Sequence, residues 1–186
     1  MVSPHDDSIE LVAPNYEEWR ARFVAERDRV HRALAIHDLE SRLRRLEHVG
    51  STAVRNLPSK DVVDLDIVVA DDAVGDVSDA IASELGGDRS ENAAEWHPIF
   101  RVHDGQRFND HVFAASSDRW KLSVVTRDVL RARPELRREY EGLKRELSAE
   151  HDDLVAYSKG KTAFIERLMA TARSGDDLEF DFDLPA

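Results

Sequence analysis

Cysteine is absent from the 186 residues. That excludes a disulfide framework and thiolate chemistry, and leaves oxygen and imidazole as ligands for any metal. No run approaches the ~20 consecutive apolar residues of a membrane-spanning helix. Residues 1–10 are acidic and lack the apolar stretch of a secretory signal, so the expected location is the cytoplasm, away from membranes. Lysine is scarce, confined to Lys60, Lys121, Lys144, Lys159 and Lys161, and positive charge is in deficit overall, with a formal net charge of -12. Broad binding to nucleic-acid backbone needs a basic surface, so this balance argues against it, although a local basic cleft stays compatible. Acid-rich, lysine-poor composition suits solubility at high salt, or simply follows from GC-rich coding; neither reports on activity.

What is present suffices for an ordinary core. A hydrophobic content of 41% over this length supports one domain without staples. Residues 1–11 read as a disordered leader, 12–173 as a single domain whose later part, from about 120, is helical, and 174–186 as an acidic tail. Asn15 with Glu18 three residues on has the spacing of a capping box, and Trp19, Phe23, Val30 and Leu34 continue a helical stripe to about residue 35. A strand is expected over 46–49, a brief helix over 52–57, and a strand over 62–70, where VVDLDIVVA is rich in β-branched residues. Val74, Val77, Ile81 and Leu85 mark another helix, which Gly86-Gly87 ends. Residues 96–103 and 108–115 flank Asp104-Gly105, a hairpin signal. Helices follow toward Arg133, after Pro134 and over 158–172. The tail DDLEFDFDLPA reads as a loose end whose Phe180 and Phe182 are free to dock on a partner. The alternation of strands and helices gives an α+β fold.

The chemistry concentrates at two places. Asp64 and Asp66 are separated by one residue inside the most hydrophobic strand. Positions i and i+2 of a strand share a face, so the two carboxylates stand side by side, while Val63, Leu65 and Ile67 face the other way. Two like charges desolvated together are costly unless compensated, and a divalent cation compensates them. Magnesium takes carboxylate and phosphate oxygens of this kind. A sheet with one wet face would give the same alternation. Gly50-Ser51 supplies the second element: glycine lets backbone approach a ligand, and the amides of Ser51 and Thr52 with the Ser51 hydroxyl can hold phosphate oxygens at a helix N-terminus. By itself, Gly-Ser is an ordinary turn.

In combination, a strand ending in Gly-Ser followed about a dozen residues later by Asp-x-Asp resembles the signature of the DNA polymerase β-like nucleotidyltransferase superfamily. The longer string Glu47-His48-Val49-Gly50-Ser51-Thr52-Ala53-Val54, with Leu57, Lys60 and Val63-Asp64-Leu65-Asp66, resembles the GrpB family. So do Pro14-Asn15-Tyr16 with Trp19, Arg127-Asp128-Val129-Leu130-Arg131, Glu139-Tyr140-Glu141 with Lys144, and Tyr157 with Lys161, Phe164 and Ile165. The resemblance implies a nucleotidyltransferase-like mixed β-sheet flanked by helices, with a C-terminal helical segment. It implies that Asp64 and Asp66 bind magnesium and that Gly50, Ser51 and Thr52 bind nucleotide phosphates. It also places Lys60 as a point charge for phosphate, although an exposed loop lysine is an equal reading. His48 is either a phosphate donor or a polar core residue. Val54-Arg55-Asn56-Leu57 and Ser59-Lys60-Asp61 depart from the family pattern of Val-Pro-Gly-Leu and Ala-Lys-Pro without removing a proposed ligand.

Enzymes of the superfamily generally carry a third carboxylate on a later strand. Here that strand reads Phe108-Asn109-Asp110-His111-Val112-Phe113. By alternation Asn109 and His111 share a face and Asp110 points away, so Asp110 serves only if the register differs. His111 is left as catalytic base, ligand or hydrogen-bonding partner. Arg101, Arg127, Lys144 and Lys161 are candidates to line the cleft from the helical side; Arg127 with Asp128 equally reads as a structural ion pair, and Lys144 and Lys161 as solvated helix lysines. The expectation is a magnesium-dependent nucleotidyltransferase acting on an NTP and an unidentified acceptor. The alternatives are a nucleotide- or phosphometabolite-binding module without turnover, or an interaction or antitoxin-like partner protein.

Overall fold

In the computed structural model, residues 9–175 and 178–185 are described. The fold is α+β. Five strands, β1 (Leu43–Val49), β2 (Val62–Val69), β3 (Asp88–Arg89), β4 (Trp96–His103) and β5 (Gln106–Ala114), form one mixed sheet in the order β1-β2-β5-β4-β3. β2 and β5 are parallel and the remaining pairs antiparallel. Asp104 and Gly105 adopt φ of 50° and 75°, the left-handed pair that closes a tight hairpin between β4 and β5.

Strand alternation divides the core. Val63, Leu65, Ile67 and Val69 of β2 face one side, where Phe108 and Val112 of β5 join them. There they meet Trp19, Val30 and Leu34 of α1 (Tyr16–Ile36) and Val77 and Ile81 of α2 (Val74–Leu85). On the other side, Val49, Val68 and Phe113 pack on Trp120 and Val124 of α3 (Asp118–Ala132). Asp64 and Asp66 lie on this second side, at the edge of that packing.

The remaining helices, α4 (Pro134–Glu150), α5 (Leu154–Lys159) and α6 (Thr162–Ser174), build a third cluster. In it Tyr140, Phe164, Leu168 and Met169 pack with Val125, Val129 and Leu130 of α3. Val54 and Leu57, just past Gly50-Ser51, are buried in the same cluster, so the turn is pinned between sheet and helices.

Several local expectations change. The expected helix over 52–57 is a single 3-10 turn, Ser51–Ala53. The helix expected over 158–172 is broken into α5 and α6 around Gly160, where an added Cβ would come within 2.4 Å of Leu147. Asn15 does not cap α1 through its side chain, which donates to Glu18 instead. The tail is not loose where it is described. Phe182 stacks edge-on against Trp120 at 4.9 Å, Asp181 pairs with Arg45, and Leu178, Phe180 and Leu184 pack on the helical cluster. Of the expected leader, residues 1–8 lie outside the described residues, whereas Ile9 is buried against Leu147 and Tyr157. Among the described residues no helix is long and apolar enough to cross a membrane.

Candidate active site

Gly50 ends β1 with φ +70° and ψ -171°, a conformation that side-chain-bearing residues resist. A Cβ there would lie 2.3 Å from Asp64 Oδ2. The turn therefore needs glycine twice, for its backbone and for the space that the Asp64 carboxylate occupies. In the antiparallel ladder Val49 pairs with Asp64 and Glu47 with Asp66; in the parallel ladder Asn109 pairs with Asp64 and His111 with Asp66. The side chains of all six point to the same face.

The two aspartates differ. Asp64 is half-buried and its Oδ1 accepts from Asn109 Nδ2 at 2.8 Å. Asp66 is 1% exposed and its Oδ2 has no partner. Burial pushes the Asp66 carboxyl well above the usual carboxylate range, against the Ser123 side chain and with the Asp64 and Glu47 carboxylates adding to the push. Glu47 is a third carboxylate on this face, which sequence alone did not single out because its pairing with Asp66 depends on register. It is held by Arg127, whose Nη1 donates to Glu47 Oε2 at 2.6 Å and to the His48 carbonyl at 3.0 Å, while Nε and Nη2 clamp Asp128.

A cleft of about 300 Å³ opens from Asp64 toward the helices. Gly50, Ser51, Ser59, Lys60 and Asn109 line the sheet side, and Arg127, Tyr140, Lys144, Tyr157 and Lys161 the helical side. Lys144 Nζ donates to Ser51 Oγ at 3.1 Å and to the Pro58 carbonyl, which ties α4 to the turn. Lys161 Nζ lies 4.4 Å from the Tyr157 ring. Burial lowers the Lys144 ammonium to about 7 and the Lys161 ammonium to about 8. It also lowers Lys60, against the pull of Asp64. Three ammonium groups are thus gathered around one small cavity in a chain that has few lysines, and an anion between them would relieve their desolvation. The short 3-10 turn provides little helix dipole, so positive charge comes from side chains of distant helices rather than from the turn.

Other expected residues fall elsewhere. The Thr52 hydroxyl is turned inward, 3.1 Å from His48 Nε2, and does not line the cleft. His48 is the polar core residue of its two readings: it stacks on Phe23 at 4.8 Å, and burial lowers it to about 3. Arg101 is buried on the opposite face, where its Nε lies 2.9 Å from Asp110 Oδ2 and 3.1 Å from Glu26 Oε1. Asp110 is therefore not a third site carboxylate. His111 lies with Asp66 in a second hollow beside the cleft. Its Nδ1 accepts the Trp96 indole N–H at 3.3 Å, and an indole can only donate, so the neutral ring carries its proton on Nε2. Burial lowers its pKa. Of the three roles open to His111, the geometry favours a hydrogen-bonding partner, because the lone pair that a base would use is engaged.

The oxygen pair fits a hard cation: one carboxylate oxygen is buried without a partner, and the glycine leaves the other carboxylate uncovered. Among the described residues no group of three or more His, Cys, Asp or Glu side chains is placed to hold a metal, so Asp64 and Asp66 would need ligand or solvent oxygens to complete a shell.

The chain is similar to known sequences and to a solved structure. A UPF0157 protein of Deinococcus radiodurans is 33% identical over 169 residues, covering 89% of this chain and 84% of its own. The glutamate-rich protein GrpB of Alkalihalophilus pseudofirmus is 24% identical, over 86% of this chain and 93% of its own. The crystal structure of the conserved protein GrpB from Enterococcus faecalis superposes with a TM-score of 0.73 at 22% identity, over 88% of this chain and 96% of that one. The likeness to the Cid1 poly(U) polymerase is weaker, with a TM-score of 0.42 at 15% identity over 72% of this chain and 37% of that one. With the GrpB protein model matching residues 8–171, the chain belongs to the GrpB family.

Proposed function

We propose that the chain is a magnesium-dependent nucleotidyltransferase, with an NTP lying across the Gly50-Ser51 turn and its phosphates in the lysine cleft. The observation that carries this reading is the meeting of two unlike charge sets: Asp64, which shares its strand face with Asp66, lines one cavity together with Lys60, Lys144 and Lys161. Ser51, fixed by Lys144, and the three ammonium groups bind and orient the β- and γ-phosphates. Asp64 and Asp66 are the residues that would hold magnesium, which when bound neutralises charge at the α-phosphate and the attacking oxygen. An acceptor hydroxyl oxygen forms a bond to the α-phosphorus, the bond from that phosphorus to the bridging oxygen breaks, and pyrophosphate leaves among the lysines. The hydroxyl proton passes to solvent, since β5 offers Asn109 and His111 rather than a carboxylate on this face. Catalysis of this kind is mostly positioning and charge stabilisation.

The test is metal-dependent NTP binding by calorimetry together with transfer assays across an acceptor panel, for the native chain and for Asp64→Ala and Asp66→Ala. Both variants are expected to lose metal-dependent binding. Retention of binding and transfer in both would sink the proposal. Asn109 and His111 also favour a second reading, a nucleotide- or phosphometabolite-binding module; tight Mg-NTP binding without transfer to any acceptor would select it. The partner-protein reading rested on the aromatic tail, and Phe180 and Phe182 pack on the chain's own core.

A further inference from the structure

The second hollow lies beside the lysine cleft and contains none of its lysines. It measures about 270 Å³ and shares Gly50, Asp64, Leu122 and Ser123 with the lysine cleft, but Asp66, Trp96, His111, Phe113 and Arg119 line it alone. Strand register makes it: Trp96 pairs with Phe113 and Pro98 with His111, so three rings stand together on the sheet face beside Asp66. Each pair of their centroids is 5.9 Å apart, and the Trp96 and Phe113 planes lie 14° from parallel. Arg119, at the start of α3, sets its Cζ 5.0 Å from the Trp96 ring centre, and is also within 3.6 Å of Glu95 in a solvent-screened pair.

A tryptophan needed only to close the Val68, Phe113 and Trp120 cluster would bury its ring. Trp96 instead remains half-open, as do Phe100 and His111 on the same face, because α3 packs over β1 and β2 rather than β4. The indole is nevertheless fixed, by its N–H to His111. A held, half-open aromatic face carrying a guanidinium is a stacking surface for a flat ring. Its volume is at the lower end for small-molecule sites, which limits the buried portion to about one ring system with its substituents. Asp64 borders both spaces and Asp66 only the hollow, so an occupant of the hollow would reach the pair from beside the phosphate cleft.

The geometry points to this hollow as the acceptor subsite, taking a nucleobase-bearing hydroxyl compound whose base stacks on Trp96 and whose sugar hydroxyl reaches the Asp64/Asp66 pair. The assignment as acceptor rests on the nucleotidyltransferase reading; the stacking site itself does not. A free nucleoside and the last nucleoside of a short single strand offer the same chemistry.

The experiment titrates adenosine, and separately the single-stranded trinucleotide of adenosine, into the full chain without NTP or metal. Tryptophan fluorescence reports binding, because Trp19 and Trp120 are buried and Trp96 is half-open. Quenching is expected from at least one probe. Equal affinities identify a free nucleoside as the source, and a trinucleotide preference of tenfold or more identifies a strand end. Calorimetry on Trp96→Leu should show affinity weakened roughly tenfold or more, and Trp96→Phe should restore most of it; thermal melts verify that both variants fold. Lys144→Gln should leave adenosine binding unchanged while weakening Mg-NTP binding. Binding by neither probe, an unchanged affinity in folded Trp96→Leu, or loss of adenosine binding in Lys144→Gln overturns the subsite. Failure of the nucleotidyltransferase reading would instead appear as absent Mg-NTP binding in the native chain with adenosine still bound.

Discussion

Gly50 carries two constraints at once, a left-handed backbone and the van der Waals space of the Asp64 carboxylate. Gly50→Ala should therefore cost about 1–3 kcal/mol in stability through backbone strain and also push Asp64 out of line with Asp66. Urea denaturation measures the first effect and metal-dependent NTP affinity the second; a variant with native values for both would remove the glycine from the site. The lysines make a separate prediction. Lys144 at about 7 and Lys161 at about 8 lie below their ordinary 10.5. Because the folded-state values are depressed, the folded chain binds fewer protons than the unfolded chain from about pH 7 to 10, and the cost of the buried charges is relieved as pH rises. A triphosphate in the cleft restores those charges. Binding should take up protons between about pH 7 and 9 and weaken as pH rises across that window. Titration calorimetry in buffers of different ionisation heat measures the uptake, and identical heats in all buffers would contradict it.

At the scale of elements, β5 sends its two faces to different tasks. Asn109, His111 and Phe113 go to the site, and Phe108, Asp110 and Val112 to the core under α1 and α2. Parallel register aligns Asp110 with Leu65, away from Asp64 and Asp66. There burial and the neighbouring Glu26 carboxylate push Asp110 well above the usual range, and Arg101 stands between the two acids. Removing the cation leaves Asp110 without a partner charge, while Glu26 keeps Arg29 at 2.6 Å, so Arg101→Met should destabilise by about 3–5 kcal/mol, read from denaturant unfolding. Asp110→Asn should keep native Mg-NTP affinity, whereas loss of that affinity in a folded Asp110→Asn protein would return Asp110 to the site.

At the scale of the whole molecule, the helices after β5 serve the turn after β1. Val54 and Leu57 are buried among α3, α4 and α6, and Lys144 reaches Ser51 and Pro58. The tail closes over the same helices: Arg45 lies against both Trp120 and Phe182, with ring distances of 5.3 and 5.5 Å. Deleting residues 176–186 removes four partly buried apolar side chains, Leu178, Phe180, Phe182 and Leu184. Stability should fall by a few kcal/mol, lowering Tm by roughly 5–10 °C for a chain of this size. An unchanged melting curve would show that the tail does not dock.

Sequence by itself determined what depends on period and local backbone. VVDLDIVV set both a strand and the shared face of Asp64 and Asp66, because strand alternation needs no tertiary information. Asp104-Gly105 set the hairpin, since few residue pairs accept those angles. Gly50-Ser51 marked the turn. Tertiary structure decided what depends on register and on packing between distant segments. It paired Glu47 with Asp66, sent Asp110 and Arg101 to the far face, turned Thr52 inward, and brought Lys144 and Lys161 across from the C-terminal helices to meet Ser51 and Asp64. It also folded the acidic tail onto Trp120 and Arg45. A charge in the sequence carries no sign of which partner will desolvate it; only the packed helices and sheet put three lysines around the cleft that Asp64 opens into.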